Sequence, residues 1–244
     1  MGLISTALKY IPRPLLIKLS YWVRPVVALA LRGNRFIDPI DSKSYRKFLS
    51  YGYGKTRPNV LAPGTLSLER HRLLWLYLKN ETDFFSRPQK ILHVAPEQAY
   101  LDRFRKLEHL DYTTTDLLSP IADIKADLTD LPFAENTYDM IICNHVLEHI
   151  PDDTAAMKEI YRVLKPGGQA ILQVPYDRNR ETTFQDDSIT DPKERAEIFG
   201  QYDHVRVYGM DYFKKLENIG FDVEAVDYTK NFSDEEIERY RLPK

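Results

Sequence analysis

Apolar residues near the start of the chain recur at helical intervals. They fall at Leu3, Ile4, Ala7, Leu8 and Ile11, then at Leu15, Leu16, Leu19, Trp22 and Val23. Pro12, Pro14 and Pro25 cut this stretch into short helices. Residues 33–66 are rich in Gly, Pro, Asn and Ser and read as a loop-rich segment. A helix is predicted next, with Ser67 as its cap, Glu69 in its first turn, and Leu73, Leu74, Tyr77 and Leu78 as its apolar face.

From Lys90 onward strand-like and helical runs alternate. Ile91–Val94 is a short apolar strand, and Tyr100, Leu101, Phe104, Leu107 and Leu110 carry a helical period. Strands are predicted over Tyr112–Thr115, Asp123–Ala126, Tyr138–Cys143, Gln169–Val174 and Asp222–Val226. Asp152 or Asp153 can cap a helix running to about Leu164, and Lys165-Pro166-Gly167-Gly168 ends it. A helix over Met210–Asn218 stops at Gly220, and Ser233 with Glu236 makes a capping box for a last one. Alternation of this kind predicts an α/β fold: a three-layer, doubly wound, mostly parallel sheet behind an N-terminal helical extension. The expected division is an extension over residues 1–66 and a main domain over residues 67–244.

Composition narrows the classes. At 244 residues, with 43% hydrophobic and 29% charged, the chain has ample apolar surface for a core. A net charge of -2 argues against a general nucleic-acid binder, so no nucleic-acid partner is expected. Six basic residues and no acidic one lie in the first 37 positions. That segment is either a pair of helices packing on the main domain or an interfacial element drawn to anionic lipid through residues 1–32. Its longest apolar run, Val26–Leu31, is too short to span a bilayer, so the expected location is cytoplasmic with peripheral membrane contact. Cys143, the one cysteine, excludes a disulfide framework and a cysteine-rich metal site.

Glycine is scarce, and none occurs between Gly64 and Gly167. A phosphate-cradling glycine loop is therefore excluded from the centre of the chain. In parallel sheets ligands gather at the carboxyl ends of strands. There stand Ala95-Pro96-Glu97 after the first strand and Asp116-Leu117 after the second, Asp116 at an offset suited to a ribose diol. Asp127-Leu128 follows the third strand, and Asn144-His145-Val146-Leu147-Glu148-His149 follows the fourth. Glu97 suits either an ammonium group or the cap of the following helix.

The stretch from Lys90 to Tyr176 resembles a class I S-adenosylmethionine-dependent methyltransferase of the type 11 group. The residues that carry the likeness are ILHVAPEQA, YTTTD, KADLTDLPF, YDMIICNHVLEHIPD and EIYRVLKPGGQAILQVPY. The resemblance implies S-adenosylmethionine as cofactor, Asp116 on its ribose, Asp127 and Leu128 at its adenine, and Asn144 and His145 lining the pocket. His93, Ala95, Pro96, Glu97 and Leu117 complete the cofactor set. It also implies a seven-stranded sheet with a final antiparallel strand. In the first loop His93 replaces the family's acid, and Ala95, Glu97 and Ala99 replace its glycines. A cofactor without phosphate tolerates that loss. The N-terminal half resembles relatives with paired zinc knuckles, whose cysteine positions here read Asp38-Pro39-Ile40-Asp41 and Ala62-Pro63-Gly64-Thr65, so no metal is expected there.

The expected reaction is methyl transfer, by O-methylation, to a small-molecule, sugar or lipid-linked acceptor, with His145, His149 or His204 as the base. His204, with Asp203 and Arg206, is either an acceptor-binding element or a structural residue. Tyr100 and Tyr176 are candidates to shield a sulfonium. Two other readings stand beside this one: a catalytically silent binding protein of the same fold, and a zinc peptidase that places His145 and His149 one helical turn apart. The acceptor and the oligomeric state stay open.

Overall fold

The computed structural model describes residues 13–52 and 56–243. The apolar positions Leu3 to Ile11 lie outside the described residues. The chain divides into two compact units: residues 1–85, 98–102 and 227–244 in one, residues 86–97 and 103–226 in the other. The first unit thus takes in residues 67–85 and the last eighteen, on the far side of the boundary expected after residue 66.

In the first unit, α1 (Arg13–Ala30) runs through Pro25, where a break was expected. β1 (Arg32–Asp38) pairs with β2 (Lys43–Tyr45), and β3 (Leu49–Tyr51) pairs with β4 (Arg57–Leu61), both antiparallel. Phe36, Tyr45, Phe48 and Ala62 pack together beneath these hairpins. The turns that the resemblance equates with zinc knuckles are closed by hydrogen bonds. Thr65 and Ser67 donate their hydroxyls to the buried Asp38 carboxylate at 2.5 and 3.2 Å, and the Ile40 N–H donates at 3.0 Å. Tyr45 donates to Asp41 at 2.9 Å.

Ser67 therefore does not cap α2 (Glu69–Glu81) as expected; its hydroxyl is spent on Asp38. The Leu68 N–H donates instead to His71 Nδ1 at 3.0 Å. On α2 the fully buried Arg72 donates to the carbonyls of Val60, Ser67, Tyr240 and Arg241. It thereby fixes the end of the chain to the hairpins. Burial lowers its pKa to about 10, against the pull of Asp38 and Glu69. The short last helix, α7 (Asp234–Tyr240), has the expected capping box of Ser233 and Glu236.

The second unit holds a five-stranded parallel sheet. Its strands are β5 (Gln89–Val94), β6 (Leu110–Asp116), β7 (Ile124–Lys125), β8 (Tyr138–Asn144) and β9 (Leu164–Gln173). Their order is β7-β6-β5-β8-β9. Leu92 and Val94 pair with Ile141 and Cys143, and all four enter one core with Met157 and Ile160 of α4 (Asp153–Val163) and Leu216 of α6 (Asp211–Ile219). On the other face His93 meets Phe104 of α3 (Gln98–Phe104). An α/β sheet with helices on both faces is thus present, as the alternation predicts.

Two strand expectations fail. Asp222–Val226 pairs with nothing regular: it runs as coil after Gly220, with Phe221 and Val223 packed on the core. Extended residues without a neighbouring ladder do not make a strand. Among the described residues the main sheet has five parallel strands, not seven with an antiparallel edge. The helix expected through Leu110 ends at Phe104, and Leu110 opens β6. The long segment after Tyr176 is not bare loop. It contains β10 (Phe184–Gln185), paired with β11 (Arg206–Val207), and α5 (Pro192–Ile198), capped by Asp191.

Candidate functional site at the carboxyl ends of the strands

The strand order reverses between β5 and β8, which places the crevice of an open parallel sheet at their carboxyl ends. Both ends carry a non-glycine residue in the left-handed region: Ala95 at φ 49° and His145 at φ 55°. Such backbone costs about 1–3 kcal/mol and persists where surrounding structure enforces it. Here the Ala95 N–H donates to the Thr115 carbonyl and the His145 N–H to that of Gln173.

His93 is fully buried, with Nδ1 2.7 Å from the Tyr112 hydroxyl and Nε2 2.6 Å from Glu97. Burial pushes the Tyr112 phenol well above its ordinary range, so it stays protonated and donates to Nδ1. Nε2–H then donates to Glu97, an assignment made from the hydrogen-bond pattern. His93 therefore orients Glu97 from below. Glu97 also accepts from Asn144 Nδ2 at 3.4 Å. The Asn144 carbonyl oxygen is buried and has no hydrogen-bond partner. Pro96 is buried beside this pair, and Ala95 is half-buried.

Asp116, at the end of β6, uses Oδ1 to accept the N–H groups of Leu118 and Ser119 at 2.7 and 2.5 Å. That turn leaves the Leu117 side chain about half exposed. Asp127 is exposed and accepts from Thr129, whereas the Leu128 side chain is packed in the core. Only the backbone of Leu128 remains for a ligand.

The histidines converge on Glu148. After His145 the chain makes one 3-10 turn, Leu147–His149, not the helix that would set His145 and His149 one turn apart. His145 Nδ1 lies 3.3 Å from Glu148. The His149 and His204 rings meet edge to face at 4.7 Å. His204 reaches this place because the Val205 N–H donates to the Glu148 carbonyl. Burial, then the neighbouring His149, holds the pKa of His204 below its ordinary value, which keeps it neutral.

Arg206 is not an acceptor-binding residue. It is fully buried and donates to the carbonyls of Leu147, Ile150 and Pro151 and to Gln185. Its three carbonyl partners lie more than fifty residues upstream, beyond the reach of local spacing. Asp152 caps α4, and Asp153 is buried, accepting from Lys215 and Tyr208. Tyr176 stands half-buried against Phe213. Tyr100 cannot face a ligand, for it is fully buried with its hydroxyl on the His71 carbonyl.

Residues 83–172 match the family model described as a methyltransferase domain. The matched segment begins two residues after α2 and runs through most of β9, and it contains the strand ends named above but not His204. Similar proteins include phosphoethanolamine N-methyltransferase 1 of Triticum aestivum, 33% identical over 112 residues, 44% of this chain and 20% of that one. Demethylmenaquinone methyltransferase of Staphylococcus carnosus is 44% identical over 54 residues, 22% of each chain. The matches thus span about a fifth of these relatives' length. A solved S-adenosylmethionine dependent methyltransferase from Mesorhizobium loti is 16% identical with a TM-score of 0.48, covering 68% of this chain and 88% of that one.

Proposed function

We propose that the chain is an S-adenosylmethionine-dependent methyltransferase acting on a hydroxyl of a small-molecule, sugar or lipid-linked acceptor. The observation that carries this reading is the acceptor set at the β5–β8 reversal: the unpartnered Asn144 Oδ1 beside Glu97. Two acceptors at one place suit an ammonium group, and an unsatisfied buried carbonyl calls for a donor. Asp116 suits ribose hydroxyls, and Asp127 with the Leu128 backbone suits an adenine edge. These residues fit the cofactor without glycines, because it brings no phosphate. When bound, its sulfonium supplies an electrophilic methyl group.

The chain's own part is orientation and proton removal. His93 holds Glu97, and the turn of Leu118 and Ser119 holds Asp116. His145 takes the acceptor's proton in this reading: it adjoins Asn144, its side chain is a third exposed, and Glu148 stands 3.3 Å away to stabilise the imidazolium. His149 and His204 line the acceptor side. Transfer of label from methyl-labelled S-adenosylmethionine to a panel of hydroxylated acceptors tests the reading. A chain that binds cofactor but labels nothing, even without any added competitor, supports the silent binding protein instead.

The same proposal includes peripheral membrane contact. α1 exposes Leu19, Trp22, Val23, Val26 and Leu29 along one face, Trp22 at 82%, within a segment that is basic and free of acids. Flotation with anionic vesicles checks it: the full chain should float, and a chain starting at Arg35 should not. No helix of the described residues is long and apolar enough to cross a membrane.

A further inference from the structure

Glu148 is 1% exposed, and neither carboxylate oxygen has a hydrogen bond of good geometry. The nearest nitrogen is His145 Nδ1, 3.3 Å from Oε1. A buried carboxylate in this state is costly, and its cost is relieved by a cation. Two imidazoles stand beside it. Donor atoms of Glu148, His149 and His204 all lie within 4.8 Å of one another.

One nitrogen of each ring already faces an oxygen, as in metal-bound histidines. His204 Nδ1 lies 3.1 Å from the Phe199 carbonyl. His149 Nδ1 lies 3.3 Å from the Asp203 carbonyl and 3.5 Å from the Asp203 carboxylate. A ring N–H donated to oxygen fixes the tautomer and turns the other nitrogen's lone pair toward a ligand. The backbone is braced at the same place by Val205 on the Glu148 carbonyl and by Arg206 on those of Leu147 and Ile150. The three donors are thus held by two distant segments, not by one flexible loop.

We propose that Glu148, His149 and His204 form a binding site for a divalent transition-metal ion, with zinc as the best match to two imidazoles and one carboxylate. Zinc sites with three protein ligands keep a fourth position open to water or substrate. Donors bound at about 2.1 Å in a tetrahedron sit roughly 3.4 Å apart, so small rotamer changes close the present spacing. His145 lies outside the triad, and a Glu148 bound to an ion no longer pairs with it. The triad shares its residues with the proposed acceptor side, but ion binding needs neither cofactor nor acceptor, so the two readings fail separately.

The test uses the full chain, stripped with a chelator and dialysed. Zinc is titrated by calorimetry and cobalt by visible absorption, with S-adenosylmethionine binding measured separately. One ion per chain is expected, with a cobalt spectrum of low coordination number. Glu148→Gln, His149→Ala and His204→Ala should each weaken binding at least tenfold, while His109→Ala leaves it unchanged. His149 is partly exposed, so its variant preserves the test if the His204 variant does not fold by circular dichroism. Absence of binding by folded wild-type protein, or binding indifferent to the triad variants, overturns the proposal.

Discussion

Two buried carboxylates, one in each unit, receive opposite treatment. Asp38 accepts from Thr65, Ser67 and the Ile40 backbone. Glu148 accepts from nothing with good geometry. Each lies near a buried arginine spent on backbone carbonyls, Arg72 in the first unit and Arg206 in the second. A satisfied carboxylate holds two turns together and is finished as a piece of structure. An unsatisfied one retains its capacity to bind, and its unit bears that cost because Arg206 and the sheet enforce the turn.

The largest expected effect comes from removing a clamp. Arg206→Met leaves the carbonyls of Leu147, Ile150 and Pro151 without their donor and should cost about 3–5 kcal/mol in a urea melt. A loss below 1 kcal/mol would show that the turn does not depend on it. Next are the matched isosteric changes. Asp38→Asn sets an amide among three donors and should cost about 1–3 kcal/mol. Glu148→Gln removes a buried carboxylate that accepts no hydrogen bond of good geometry and should leave the metal-free chain at least as stable as the wild type. Equal losses in the two variants would erase the contrast.

The smallest effect is the pH response of His204. Burial holds its folded pKa below the ordinary histidine value of about 6.5. Between that folded value and 6.5 the unfolded chain binds the proton and the folded chain does not. Stability should therefore fall as pH drops through this window and level off below it. His204→Gln should remove that component from denaturant melts at pH 7 and 5. An unchanged slope would place the titration elsewhere.

Much of the second unit was legible in the chain because buried parallel strands are written as apolar runs. Ile91–Val94 and Tyr138–Cys143 are such runs, and both are central strands. Asp152 and the Ser233–Glu236 box gave their helices away through local chemistry. Asp222–Val226 misled because strand propensity carries no information about a pairing partner. Ser67 misled because a distant carboxylate outbid a local N–H group. The site was half legible. Asn144, Asp116, His145 and His149 stand out by following predicted strands, and His204 by its place in the long polar segment after Tyr176. The approach of His204 to Glu148 and His149 depends on the hydrogen bond from Val205, which no local spacing reveals.

Titration of S-adenosylmethionine into the full chain and into Asp116→Ala, by calorimetry, tests the central claim most directly. The account predicts saturable binding near one equivalent by the wild type and a loss of at least tenfold in the variant, with both folded. No heat from wild-type protein at high concentration, or equal affinity in the two, would contradict it.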